Sequence, residues 1–135
     1  MSDLVIFDTS VLVDEFRTGR HRKKIEAVDG LVRTSAVVLA ELWRGVIDDA
    51  ERKVLLALAR NHPILTPTEK NWLESGEMLS RIRADRGFAA AKLRCLHFDV
   101  LIALTARSHG ARLITTNRTD FELINRYREF KLEVW

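Results

Sequence analysis

The chain has 135 residues, 47% of them hydrophobic and 30% charged, with 22 Lys and Arg against 19 Asp and Glu for a net charge of +3. That length buries a sizeable core without disulfide or metal staples, and the composition excludes a disordered or collagen-like chain. A single cysteine, Cys95, excludes an internal disulfide framework and suits a reducing, cytoplasmic home.

No apolar run approaches the roughly 18 residues that a membrane helix needs. The start, MSDLVIFDTS, has neither the basic stretch nor the small-residue cleavage site of a signal peptide. It reads as a strand that stays in the protein. The mild positive charge suits a nucleic-acid phosphate backbone, although on composition alone a solvated, slightly basic surface is the better explanation. No repeat, low-complexity tract or linker interrupts the chain, so residues 1–135 are expected to form a single domain.

In chain order, LVIF at 4–7 is a continuous apolar run and predicts a strand buried on both faces. A helix follows over 9–16, then the basic stretch GRHRKK at 19–24, a short strand at 31–33, and a helix capped by Thr34 or Ser35 that runs to 47. Further helices are expected over 50–60 and 66–86. The second opens on Thr66 as cap, Pro67 as first helical residue and Glu69 three after the cap. Ile64 and Leu65 form a minimal strand between them.

Residues 87–97 read as a loop and helix approach, 98–108 as a helix stopped by Gly110, and 112–115 as a strand. A short helix opens at Asn117, and 131–134 predicts an edge strand. Strands alternating with helices predict an α/β fold, a three-layer sandwich around a mainly parallel sheet.

The informative residues are acids in apolar settings. Asp8 directly follows the first strand, where open α/β sheets place their ligands; a plain N-cap is the competing role. Glu41 shares a helix face with Val37, Val38, Leu42 and Gly45. An ionised carboxylate within such a stripe needs a cation, an arginine or a shared proton, and Arg44 at i+3 is one alternative partner. Asp99 shares a face with Ile102, Ala103 and Ala106, and is expected near its helix's N-terminus, where the dipole favours negative charge. Asn117 and Asp120 emerge after the strand at 112–115 with capping-box spacing, which by itself explains both. Together these groups put oxygen ligands at strand ends and on adjoining helix faces. Oxygen donors without His or Cys select Mg²⁺ or Mn²⁺ over Zn²⁺.

At these residues the chain resembles the PIN-domain ribonucleases, specifically the VapC-type toxins of prokaryotic toxin–antitoxin pairs. Four blocks carry the resemblance: IFDTS at 6–10, TSAVVLAELWRG at 34–45, FDVLIA at 98–103 and LITTNRTDF at 113–121. Each is weak alone; together, in order and spacing, they form a strong signal across nearly the whole chain.

The resemblance implies a PIN fold and a Mg²⁺- or Mn²⁺-dependent endoribonuclease in which Asp8, Glu41 and Asp99 bind the metal. The family's fourth acid falls on Asn117 in many members, whereas Asp120 matches the acid before Phe121. Either one completes the site, which leaves one or two metals open. Thr9 and Thr115 match hydroxyl positions that orient ligands or water. The resemblance also implies a homodimer, and a small antitoxin whose segment binds near Asp8 and Asp99.

Arg17, Arg20, Arg22, Lys23, Lys24, Arg81, Arg83, Arg86 and Arg94 are the candidates to hold RNA phosphates, each with solvated surface charge as the ordinary alternative. Val46, Ala50, Val54, Ala57 and Leu58 fall near one helix face and offer an apolar surface to a partner or to the protein's own core.

Other assignments fit less well. A haloacid-dehalogenase-type phosphatase needs Asp where Ser10 stands, and a receiver domain needs an acidic pair after its first strand. No Gly-rich phosphate loop is present. Cys95 reads as a buried structural thiol. His21, His62, His97 and His109 have no zinc spacing, and His97 reads as a helix-entry or capping residue. Trp43, Trp72 and Trp135 read as core or interface. The rival from another class is a catalytically silent RNA- or protein-binding module on the same fold.

Overall fold

The computed structural model describes residues 3–135. Five strands, β1 (Leu4–Phe7), β2 (Leu31–Ser35), β3 (Ile64–Leu65), β4 (Arg112–Thr115) and β5 (Lys131–Val134), form one sheet in the order β3-β2-β1-β4-β5, and every pair is parallel. The helices are α1 (Thr9–Thr18), α2 (Arg22–Glu26), α3 (Ala36–Arg44), α4 (Asp49–Asn61), α5 (Glu69–Arg86), α6 (Ala90–Ser108) and α7 (Arg118–Tyr127). The α/β expectation holds, and the edge strand β5 is parallel like the rest.

β1 is central. Val5 and Ile6 are fully buried, as are Leu113 and Ile114 on β4, which is why β1 reads as an unbroken apolar run and β4 has an apolar pair at its centre. After β1 the chain builds outward through β2 and β3, then returns through α5 and α6 to lay β4 on the other side of β1. The strand order therefore reverses between β1 and β4, the point at which open α/β sheets form a crevice at the carboxyl ends of their strands. Gly30 permits the tight start of β2: its φ is 145°, and a Cβ there would lie 2.7 Å from the Asp3 carbonyl oxygen.

Several boundaries differ from expectation. α3 is capped by Ser35, whose Oγ accepts from the N–H of Val37 at 3.1 Å and Val38 at 3.3 Å, and it ends at Arg44. Val46 therefore lies between α3 and α4, not on the helix with Ala50 and Val54. The cap of α5 is Thr68, reciprocated by the Asn71 side chain. Pro67 thus precedes the cap, and Thr66 does not serve as one; Asn71, three after Thr68, completes a box that the Glu69 spacing obscured.

The largest difference is α6, which starts at Ala90 rather than near 98. Gly87 ends α5 in the left-handed region at φ 65°, Ala89 is extended, and Ala90, Ala91, Lys92 and Leu93 are strong helix formers. Asp99 is therefore well inside the helix, and the N-terminal dipole does not account for it. The same extension changes Cys95, which is exposed and not a buried structural thiol. It also places His97 in mid-helix, neither an entry nor a cap, with Nε2 3.0 Å from Ser75 Oγ on α5. Trp72 is 52% exposed and outside the core, whereas Trp135 packs on Phe7 and on the buried His21.

Candidate active site

Asp8 sits at the N-cap position of α1, yet its side chain makes no capping bond. The carboxylate is 3% exposed, and Oδ2 accepts from Ser10 Oγ at 2.7 Å and from Thr115 Oγ1 at 2.8 Å. The Asp8 N–H donates to the Ile114 carbonyl at 2.8 Å, tying the end of β1 to β4. Burial pushes the carboxyl up from its ordinary pKa, against the pull of these hydroxyls and of the Thr9 and Ser10 N–H groups.

Glu41 projects from α3, and its Oε1 accepts from Thr9 Oγ1 at 2.8 Å. Arg44, the alternative partner, stands 4.0 Å away with its side chain 69% exposed. A contact so long and so open to water is weak compensation. Burial raises the Glu41 pKa; the Thr9 hydroxyl opposes the rise and Asp8 adds to it.

Asp99 on α6 feels all of this. Burial, then the charges of Asp8, Glu41 and Asp120, push its carboxyl up to about 8, while Lys92 pulls the other way. Four acids from four segments thus share one electrostatic neighbourhood at the β1–β4 crevice.

Asn117 and Asp120 form the far corner. Asn117 Oδ1 accepts from the Asp120 N–H at 3.3 Å, its Nδ2 donates to Asp120 Oδ2 at 3.1 Å, and its own N–H donates to Thr115 Oγ1 at 2.9 Å. Half of the expected capping box is present, because the Asp120 carboxylate takes the Asn117 side-chain amide instead of its backbone. Thr115 therefore touches both Asp8 and the Asn117 backbone, linking the two corners.

Lys92 was invisible to sequence reasoning because it fell in the segment read as a loop; with α6 starting at Ala90, it lies seven residues before Asp99 on one helix face. Ser10 was also missed as a separate contributor, although a hydroxyl two residues beyond an acid is a known local partner.

The all-oxygen set of Asp8, Glu41 and Asp99 fits a hard divalent cation by charge and donor type. Among the described residues, however, no three acid, His or Cys side chains are already gathered closely enough to hold an ion as they stand.

The basic candidates do not form one surface. Arg17 and Arg22 line a groove beside Glu41, and Arg20 pairs with Asp14. Lys24 lies over the Trp135 ring and Arg81 over that of Tyr127. Arg86 lines a second cavity with Lys92 and Asp120. Lys23, Arg83 and Arg94 are exposed.

The groove, of about 440 Å³, runs between α1, α3 and α4 over Phe16, Leu42, Val46, Val54 and Leu55. Phe16 and Val54 are each more than 40% exposed. Among the described residues, no helix is long and apolar enough to cross a membrane.

Comparison with known proteins agrees with this architecture. The VapBC2 complex of Rickettsia felis, solved with a promoter DNA fragment, contains a chain 21% identical to this one at TM-score 0.72, with 98% of each chain covered. VapBC-1 of nontypeable Haemophilus influenzae gives 20% identity at TM-score 0.72, again over 98% of each chain. A toxin–antitoxin complex of Klebsiella pneumoniae gives 25% identity at TM-score 0.60, covering 87% of this chain and 89% of that one. No curated protein is significantly similar in sequence. The PIN domain family model matches residues 5–127, which spans β1 through α7 and every acid of the crevice, and the chain belongs to the PIN-domain family.

Proposed function

We propose that the protein is a Mg²⁺- or Mn²⁺-dependent endoribonuclease, the toxin of a cytoplasmic toxin–antitoxin pair. The observation that carries this reading is the gathering of Asp8, Glu41 and Asp99 in one neighbourhood, where burial first, and then the charges of the neighbouring acids, push the Asp99 carboxyl up to about 8. An acidic cluster of that kind, on a family of nucleases, is a cation site rather than a stability device.

In this reading Asp8, Glu41 and Asp99 hold the ion. When bound, it lowers the pKa of water for attack on the phosphodiester and offsets charge on the phosphate oxygens. The chain's own groups do the positioning. Ser10 and Thr115 fix one oxygen of Asp8, Thr9 fixes one oxygen of Glu41, and α6 carries Asp99 within reach of both charges. The hydroxyls donate to the charged forms of Asp8 and Glu41, and so oppose the upward pull of burial on both carboxyls.

The apolar groove between α1, α3 and α4 is the docking surface for a segment of the antitoxin. It reaches Glu41 at the edge of the pocket, so a basic side chain on that segment can pair with the carboxylates and block cleavage directly. The active protein is a homodimer.

Cleavage of RNA that requires Mg²⁺ and is lost in Asp8→Asn, with the circular dichroism spectrum intact, tests the enzyme. Metal-independent RNA binding without cleavage would instead favour the silent module. Light scattering at micromolar concentration tests the dimer, and co-purification with the product of the adjacent small reading frame tests the partner.

A further inference from the structure

The Asp120 corner of the crevice is closed by a cation of the chain's own. Lys92 Nζ donates to Asp120 Oδ1 at 2.8 Å, and Asn117 Nδ2 donates to Oδ2 at 3.1 Å. Both oxygens of the fourth acid are therefore engaged, one by an ammonium. A divalent ion binding there would have to displace a charge-assisted bond. Asn117 offers little in exchange, since its Oδ1 is turned to the Asp120 N–H.

The Lys92 side chain is 41% exposed while that of Asp120 is 15% exposed. The ammonium is thus tethered on one side and open on the other. It also borders a cavity of about 480 Å³ that carries Arg86 and Arg126 beside Phe88, together with Arg118, which pairs with Glu122 at 2.7 Å. Positive charge with one aromatic face is the pattern that tracks a single-stranded nucleic-acid backbone.

We infer that Lys92, anchored by Asp120, is a substrate-binding residue that supplies the fixed positive charge at this corner of the crevice, holding a non-bridging oxygen of an RNA phosphate, and that the pocket consequently takes a single divalent ion. The inference rests on the nuclease reading above. It makes the Lys92–Asp120 pair a functional unit instead of a tie between α6 and α7.

The experiment counts Mn²⁺ per chain, from the electron paramagnetic resonance signal of the free ion, in the wild type, Lys92→Met and Lys92→Arg. The same proteins are compared in steady-state cleavage of RNA. The wild type should bind one Mn²⁺. Lys92→Met releases Asp120 and should bind a second, and its KM for RNA should rise about tenfold, the scale of one lost phosphate contact. Lys92→Arg should keep one Mn²⁺ and most of the affinity, which a purely structural tie does not predict for KM.

A wild type that binds two ions overturns the inference whatever the variants do. A Met variant that binds one ion and cleaves with the wild-type KM also overturns it, while leaving the nuclease standing. A wild type that cuts no RNA removes both readings, and that result is recognised before any variant is made.

Discussion

Glu41 stands between two regions that break the ordinary rules of burial in opposite senses. On one side, the β1–β4 crevice gathers carboxylates where apolar contacts would stabilise more. On the other, the α1–α3–α4 groove leaves Phe16 and Val54 in water, where burial would stabilise. A fold under selection for stability alone would have closed both. The crevice is expensive because its buried like charges have little built-in counter-charge: Lys92 offsets Asp99 only in part and is bonded to Asp120. The groove is expensive because its apolar lining is left uncovered. On the proposed function the difference separates two roles: the first region is the cation site, the second the docking surface for a partner.

That separation can be broken experimentally. The largest effect should come from Asp8→Asn or Asp99→Asn, each lowering Mg²⁺-dependent cleavage by about a hundredfold or more, measured as single-turnover cutting of a defined RNA. Binding of the antitoxin should survive both changes. In the groove the pattern should reverse. Val54→Arg should cost about 2 kcal/mol of antitoxin affinity, the scale of a central apolar contact, read by calorimetry, while cleavage by the free protein stays at the wild-type rate. Either variant affecting both readouts equally would mean that the regions are one.

The third effect is on stability and its sign is fixed by linkage. The folded pKa of Asp99 is near 8, above the unfolded value of 3.8. Between those limits the folded chain binds the extra proton, so Asp99 makes the metal-free protein lose stability as pH rises from about 4 to 8. Below pH 4 the residue has no such cost. Asp99→Asn should therefore be more stable than wild type by about 2 kcal/mol at pH 8, well short of the full shift because the carboxyl keeps some contact with water. The two proteins should converge below pH 4. Urea unfolding across that range measures it.

The smallest effect is Thr9→Val. Removing the 2.8 Å bond to Glu41 takes away a donor to the charged carboxylate, so the Glu41 pKa should rise further. Mg²⁺ affinity at pH 7 should then weaken by about 1 kcal/mol.

The two regions also differ in how well the sequence announces them. Asp8 was legible because a carboxylate directly after LVIF has few structural excuses, and the structure weakens the remaining one, since its side chain makes no full capping bond and is held by the Ser10 and Thr115 hydroxyls. Glu41 was legible from its place in an apolar stripe, with Arg44 as a rival that turns out to be distant. The parallel sheet followed from alternation of strands and helices, whereas its order, with β1 in the centre, did not.

The Asp120 corner was not legible. Helix α6 begins at Ala90 after a three-residue turn, and no capping side chain marks its start, so Lys92 could not be placed against Asp99. For the same reason the local pattern suggests a buried Cys95 and a capping His97, whereas Cys95 is exposed and His97 lies in mid-helix. The groove was only half visible: Val54 showed as an apolar face, whereas Phe16 and Leu42 join it through contacts between α1, α3 and α4 that no local pattern encodes.

The most direct test of the central claim, that Asp8, Glu41 and Asp99 form a divalent-cation site, is the melting temperature as a function of Mg²⁺ or Mn²⁺ at fixed ionic strength. An ion that binds the native crevice and not the unfolded chain stabilises by mass action, by about 2.7 kcal/mol at a hundred times its Kd. The wild type should melt progressively higher as the metal is raised, and Asp8→Asn/Asp99→Asn should begin more stable near pH 8 and stay flat. If the double variant and the wild type rise by the same amount, the ion binds elsewhere and the crevice is not its site.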